Sequence, residues 1–122
     1  RGFYKYSGGK SSGVSSRVPT SSMNVTYTDN EIVDRLVLIM VNESVRCLEE
    51  GVVESPKDVD FGMIMGTGWA PFRGGPISYL DNEGAKNVVE RLQKLAKNDK
   101  YFAPCDMLLE YAKKDKKFYE EK

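Results

Sequence analysis

Between Asp29 and Glu50 the apolar residues recur at steps of three and four: Ile32, Leu36, Ile39 and Met40, then Val41, Val45 and Leu48. That spacing lines one face of an α-helix. The uninterrupted run Leu36–Val41 could also form a buried strand. The segment is far longer than a strand, however, and Asp34, Arg35, Glu43, Arg46, Glu49 and Glu50 take the remaining positions of a helix surface. Near-complete apolarity around the middle turns predicts a helix buried on most sides. Thr28 or Asp29 supplies the N-cap, and Gly51 stands just past the last turn, where a left-handed residue commonly ends a helix. A long buried helix must be enclosed by other elements, and this requirement constrains the fold more than any other feature.

The enclosing elements also read as helices. Ser55-Pro56-Lys57-Asp58 combines an N-cap serine, a proline at the first helical position and an acid three residues after the cap. The helix it starts runs through VDFGMIM and is expected to stop at Gly66. Pro76 starts a third helix, PISYLDNEG, which Gly84 breaks. A longer amphipathic helix follows, with Ala85, Val88, Leu92 and Leu95 on one face and Lys86, Glu90, Arg91, Lys94 and Lys97 on the others. Pro104 opens a last helix carrying Met107, Leu108, Tyr111 and Ala112. No segment reads convincingly as a strand. The expected class is all-α, a compact bundle of about five helices joined by short loops.

Residues 29–122 make up this helical domain, and residues 1–28 have a different texture. SGGKSSGVSSRVPTSS, residues 7–22, cannot bury enough apolar surface to offset the entropy of ordering it, so a disordered linker arm is expected. RGFYKY ahead of it carries aromatics out of place in a linker and reads as the end of a preceding structured unit. The 18 basic and 18 acidic residues cancel, which removes any general pull toward nucleic acid or anionic membrane. Arg1, Lys5, Lys10 and Arg17, dispersed along the arm, make only a weak nucleic-acid signal. No apolar run approaches a membrane span. Cys47 and Cys105 suit a reducing compartment without a disulfide framework. The sequons at Asn24 and Asn42 then read as chance, and the chain is expected to be intracellular, with bacterial cytoplasm, mitochondrion and peroxisome undistinguished.

Candidate chemistry is sparse. The chain contains no histidine, which removes the commonest general base and metal ligand and every Ser-His or Cys-His nucleophile. Cys47 and Cys105 stand apart, so no cysteine cluster can hold a metal. Cys105 lies near a helix start, whose dipole could lower its pKa, but nothing nearby in sequence could serve as its base. The closest carboxylate pairs, Glu49-Glu50 and Asp58/Asp60, sit where solvated helix faces need charge. MGTGWAPFRGGP, Met65–Pro76, is the remaining candidate. A dinucleotide loop needs a third glycine where Pro71 stands and a strand where a helix precedes, and the Gly-Lys-Ser/Thr of a Walker loop is missing. The loop therefore reads as a corner between helices, with Gly74 and Gly75 giving conformational freedom and Trp69 and Phe72 packing into the core or an interface.

From Glu31 to Ala85 the residues resemble the C-terminal helical domain of the 3-hydroxyacyl-CoA dehydrogenases. They are more closely similar to its second, terminal copy in the α chain of multifunctional fatty-acid β-oxidation enzymes. The markers are NE-x-x-RCLEEG (Asn42–Gly51), Pro-x-x-x-Asp (Pro56–Asp60) and G-x-G-x-x-P-F-x-GGP (Gly66–Pro76), in order over about residues 29–120. The resemblance implies a fold like the C-terminal domain of 6-phosphogluconate dehydrogenase. It also implies a parent enzyme that oxidises 3-hydroxyacyl-CoA with NAD, using a His–Glu pair in a Rossmann domain and pocket residues from the first helical copy. The active first copy carries Val-Asn-Arg where Val33-Asp34-Arg35 stand here, so no substrate role is implied for this copy. Gly2-Phe3-Tyr4-Lys5-Tyr6 matches the segment that closes the first copy, and Lys117-Phe118-Tyr119 echoes it.

Relatives with one such domain are homodimers packed through it. By analogy this copy packs on the first copy and braces the dehydrogenase cleft, with the first copy and the Rossmann domain as partners. Acyl-CoA would be met only through the parent enzyme, NAD would bind the parent, and this segment would hold no cofactor, metal or catalytic residue. The residues expected to carry the structural and interface role are Gly51, Pro56, Gly66, Gly68, Trp69, Phe72, Gly74, Gly75 and Pro76. Self-association of the segment through the surface that the first copy covers is a further expectation. The alternative is a standalone helical module that binds a protein partner, and binding of CoA by basic residues at helix ends ranks below both.

Overall fold

The structure, a computed structural model, describes residues 3–18 and 26–119. A β-hairpin of β1 (Tyr4–Ser7) and β2 (Lys10–Val14) precedes five helices: α1 (Asp29–Glu49), α2 (Pro56–Thr67), α3 (Pro76–Glu83), α4 (Ala85–Ala96) and α5 (Asp106–Lys114). Short 3-10 turns at Pro71–Arg73 and Lys100–Phe102 lead toward α3 and α5. The helical domain is all-α, as the apolar spacing requires.

Thr28 caps α1. Its hydroxyl accepts from the Glu31 amide while the Glu31 carboxylate accepts from the Thr28 amide at 2.8 Å, a reciprocal capping box. The Thr28 amide, and then the Thr28 hydroxyl donating to the same carboxylate, hold the Glu31 carboxyl below its ordinary pKa. The other end closes on Gly51 in the left-handed region, φ 68°. Leu38, Val41 and Val45 form the buried stripe of α1, and Ile77, Leu80, Val88, Leu92 and Leu108 pack with them in a single core cluster. Full burial of each such side chain contributes about 1.5–3 kcal/mol.

The expected burial of α1 on most sides does not hold. Ile32, Val33 and Leu36 are exposed, Leu36 by 63%. The remaining helices cover the Leu38–Val45 stripe and leave Ile32, Val33 and Leu36 open. Apolar spacing identifies an apolar surface without saying which body covers it.

Two boundaries also differ. α2 starts at Pro56 behind the Ser55 cap, as expected, but runs through Gly66 to Thr67, and Gly68 is the residue that turns left-handed, φ 73°. Glycine need not leave a helix, and Thr67 strengthens the last turn by donating to the Met63 carbonyl at 2.7 Å. α5 starts at Asp106, after Pro104, because Asn42 of α1 holds the intervening corner. Its amide donates to the Ala103 carbonyl at 2.9 Å and its carbonyl accepts from the Cys105 amide at 3.0 Å.

The hairpin corrects the reading of the arm as strand-free and disordered. Gly8 and Gly9 both take positive φ, 57° and 78°, the conformation of a two-residue hairpin turn that favours glycine. A register shift opposite Lys5/Tyr6, with Gly13 at φ 126°, makes a bulge. Every residue of both strands is exposed. The expected linker beyond residue 18, through 22, the Asn24 sequon and Gly2 of the closing motif lie outside the described residues.

Candidate functional site

Asp60 lies in the second turn of α2 and faces the start of α3. Its carboxylate accepts from the backbone amides of Ile77 at 2.7 Å and Ser78 at 2.9 Å, the Ser78 hydroxyl at 2.8 Å and the Tyr119 phenol at 2.8 Å. It is only 3% exposed. The first amides of a helix lack partners within it and sit at the positive end of its dipole, so an anion satisfies both needs. Two features of the Gly-Gly-Pro sequence make room. A Cβ on Gly75 would lie 2.5 Å from the Cβ and Oδ1 of Asp60, and Pro76 has no amide to satisfy. The loop does receive an anion, and that anion is the chain's own carboxylate.

One expectation changes in consequence. Asp58 and Asp60 were paired as residues of a solvated face, but only Asp58 is there, accepting from the Ser55 hydroxyl at 2.6 Å. The glycine-lined helix start also has no space for the pyrophosphate of NAD, since Asp60 fills it. NAD does not fit this loop.

α3 carries a second carboxylate, Asp81, which accepts from the amides of Phe118 at 2.9 Å and Tyr119 at 2.8 Å. The Phe118 ring stacks on Tyr111, with centroids 4.0 Å apart. Burial first, and then its bond to Asp60, pushes the Tyr119 phenol up to about 12. The segment after α5 is thus tied to α3 by Asp81, to α2 by Asp60 and back onto α5 by the ring stack.

Asp34 is committed elsewhere. It binds the Arg91 guanidinium of α4 through two nitrogens, and Arg91 also reaches Glu83 at 2.9 Å. The Asp34 bond is the main reason the Arg91 pKa is raised. Arg35 beside it lies over the rings of Tyr27, at 4.8 Å, and Phe102, at 5.9 Å. The Val33-Asp34-Arg35 position is therefore tied into the domain by charge and ring contacts.

Of the aromatic residues in the loop, Trp69 is half-buried and meets Tyr79 edge-on at 6.3 Å. Phe72 is 86% exposed, so it does not anchor the core. A single 3-10 turn is too short to swing its ring inward past Pro71. Gly66 and Gly68 are exposed as well, while Gly75 and Pro76 are buried at the Asp60 junction. Cys105 is buried, and desolvation pushes its thiol pKa up, against the lowering expected from its helix position. Among the described residues no group of three or more His, Cys, Asp or Glu side chains could hold a metal ion, and no helix is long and apolar enough to cross a membrane.

The remaining feature is an uncovered apolar surface. A cleft of about 410 Å³ opens between α1 and α2, lined by Ile39, Met40, Cys47, Val59, Gly62 and Met63, with Glu43 and Asp58 also on its wall. Leu36 lies one helical turn before Met40 on the same face of α1. Phe61 and Met65, one turn apart on α2, are 66% and 70% exposed.

These observations define a helical domain whose buried polar groups tie its own elements together and whose open surface is apolar. A family model described as "3-hydroxyacyl-CoA dehydrogenase, C-terminal domain" matches residues 32–121, and the chain belongs to that family. Among similar proteins, the fatty acid oxidation complex subunit alpha of Vibrio vulnificus is 42% identical over 125 residues, covering 98% of this chain and 17% of the relative. The subunit of that name from Shewanella loihica is 50% identical over 92 residues, covering 73% of this chain and 13% of the relative. That of Acinetobacter baylyi is 37% identical over 128 residues, covering 97% and 18%. The chain thus spans less than a fifth of the length of these curated relatives.

Proposed function

We propose that this chain is part of a multifunctional fatty-acid oxidation α subunit acting as an NAD-dependent 3-hydroxyacyl-CoA dehydrogenase. In this reading the domain packs on the preceding helical copy, braces the dehydrogenase cleft and is inactive alone. Acyl-CoA and NAD are handled by the rest of the parent chain, within an intracellular compartment. The observation that carries the reading is the open apolar face of α1 and α2, in a domain whose Asp60 and Asp34 are already committed to internal bonds. A contiguous apolar face rimmed by charge marks a surface that another body covers.

The test has two arms. The purified 122-residue chain, given acetoacetyl-CoA and NADH, is expected to show no oxidation of NADH above background. Turnover at a modest fraction of an ordinary dehydrogenase rate would defeat the inactive-alone part. In the full-length protein, Leu36→Asp places a charge on the face and is expected to lower dehydrogenase activity at least tenfold, on the order of 1.4 kcal/mol of lost support. Unchanged activity would defeat the brace.

A further inference from the structure

We infer that the hairpin docks, through its aromatic face, on a preceding unit built like residues 29–119, and that Phe3 and Tyr4 fill there a socket of the kind that Asp60, Asp81 and Tyr111 form for Phe118 and Tyr119. The inference rests on the proposed reading that this chain is part of a longer α subunit.

The hairpin has a surface that needs a cover. Tyr4 and Tyr6 project to one side of β1, and Val14 is paired with Tyr4 across the turn. These three residues are 55%, 68% and 60% exposed, and Phe3 is 73% exposed. A two-stranded hairpin alone is marginal in water and becomes stable when its apolar face packs on another body. The hairpin lies outside the family match, which begins at residue 32, yet alignments to relatives cover 98% of the chain. Those relatives are several times longer than this chain, and most of their length lies outside the alignment.

The repeated Phe-Tyr pair identifies the occupant. At Phe118-Tyr119 the structure shows what such a pair requires: a ring for the phenylalanine, a buried carboxylate for the phenol, and a second carboxylate for backbone amides. The buried carboxylate lies against a Gly-Gly-Pro helix start, so the whole socket belongs to this domain architecture. Phe3-Tyr4 offers the same groups in the same order. Ser15 donates to the Phe3 carbonyl at 2.8 Å, and the alternation of an antiparallel pair then puts the Tyr4 amide on the outer edge of β1, open to an acceptor. The socket in this domain is already filled by its own strap. A second molecule of this chain would present a filled socket too, so a preceding unit of like architecture remains.

Hydrogen exchange read by mass spectrometry tests this in the full-length protein and in the 122-residue chain. Amides of residues 3–7 are expected to exchange about 100-fold more slowly in the full-length protein. Equal rates in the two would overturn the inference. So would slow exchange in the dilute isolated chain, which would make its own helices the cover, or protection that grows with concentration, which would make a second copy the cover. In the full-length protein Tyr4→Phe is expected to remove most of the protection at residues 3–7, whereas Tyr119→Phe leaves it in place. Full protection in Tyr4→Phe would overturn the carboxylate-held phenol. These readouts do not depend on catalysis, so failure here is separable from failure of the brace, which appears as retained activity in Leu36→Asp.

Discussion

Replacing Gly75 by alanine asks whether the loop is shaped to admit the Asp60 carboxylate. The new Cβ would stand 2.5 Å from the Cβ and Oδ1 of Asp60, a separation real side chains do not tolerate. The carboxylate would have to withdraw from the amides of Ile77 and Ser78. Backbone angles of φ 100° and ψ 176° are open almost to glycine alone, so alanine adds about 1–3 kcal/mol of strain. Weakening bonds between a buried carboxylate and two amides adds about 2–3 kcal/mol. The sum, about 3–6 kcal/mol, is a large fraction of the roughly 5–15 kcal/mol that holds a small domain folded. Asp60→Ala, which strips four bonds from a buried site, is expected to cost about 3–5 kcal/mol by itself. In the double variant the carboxylate's bonds can be lost only once, while the backbone strain and the contact with the remaining Cβ of residue 60 stay. The double cost should then fall short of the sum of the singles by about 2 kcal/mol. Urea unfolding followed by circular dichroism measures each arm, with the milder Asp60→Asn in place of alanine if a variant does not fold. Gly68→Ala is the control, because its φ of 73° is strained but nothing lies within 4 Å of the added Cβ. It should be additive with Asp60→Ala. Additivity within about 0.5 kcal/mol for Gly75 as well would refute the cradle.

Other consequences are checked separately. The folded Tyr119 phenol, at about 12, lies above its ordinary value of 10.0, so the neutral form is bound more tightly in the folded state. Its stabilising contribution is complete below pH 10 and fades as pH rises through about 12. The alkaline fall in urea midpoint should therefore be shallower in Tyr119→Phe, and an equal fall counts against the strap. Leu36→Asp should change the stability of the isolated chain by no more than about 0.5 kcal/mol, while Leu38→Ala costs about 2–5 kcal/mol. The reverse ranking in thermal melts would show that the faces of α1 are misassigned. Cys47, half-buried in the α1–α2 cleft, should react with a thiol reagent under native conditions, and Cys105 only on unfolding. Peptide mapping that finds Cys105 labelled first would contradict its burial.

Much of the fold was legible because its signals are local. The Ser55-Pro56 start, the Gly51 stop, the Pro76 start and the Ala85/Val88/Leu92 face each lie within a few residues of the element they define, and each occurs in the structure. The exit of α2 was misplaced because Gly66 and Gly68 are both able to end a helix, and the choice depends on how the following loop packs. The Gly8-Gly9 turn was readable as a hairpin signal, but the surrounding serines and glycines masked it. Asp60 was missed for a different reason. Its partners lie 17 to 59 positions away, and a carboxylate two residues from an exposed Asp58 carries no local mark of burial. The pairing of Pro-x-x-x-Asp with a later Gly-Gly-Pro was visible as a family marker, but its physical reason appears only when α2 and α3 are side by side. Asn42 is similar, since its bonds to the Ala103–Cys105 corner span more than 60 positions.

The Asp60 junction also bears on how a domain of this kind can contribute to an enzyme. A glycine-lined helix start attracts anions whether the anion is a ligand or a side chain. Here the side chain arrives from α2 at a distance no diffusing ligand can match, because it is tethered and already desolvated by folding. A phosphate competing for the Ile77 and Ser78 amides would have to expel a buried carboxylate and leave it unpaired, at a cost of several kcal/mol. Asp34 is likewise committed within the domain, through its bonds to Arg91. Bonds to internal carboxylates thus occupy the two positions at which a sequence reader would first look for chemistry. They stiffen the α2–α3 and α1–α4 junctions behind the open apolar face. A surface that braces a neighbour needs that rigidity, because a yielding face would absorb the neighbour's motion instead of restraining it. The committed polar groups and the uncovered Leu36–Met40 stripe therefore support the same proposed role, in which this domain acts on an active site by contact alone.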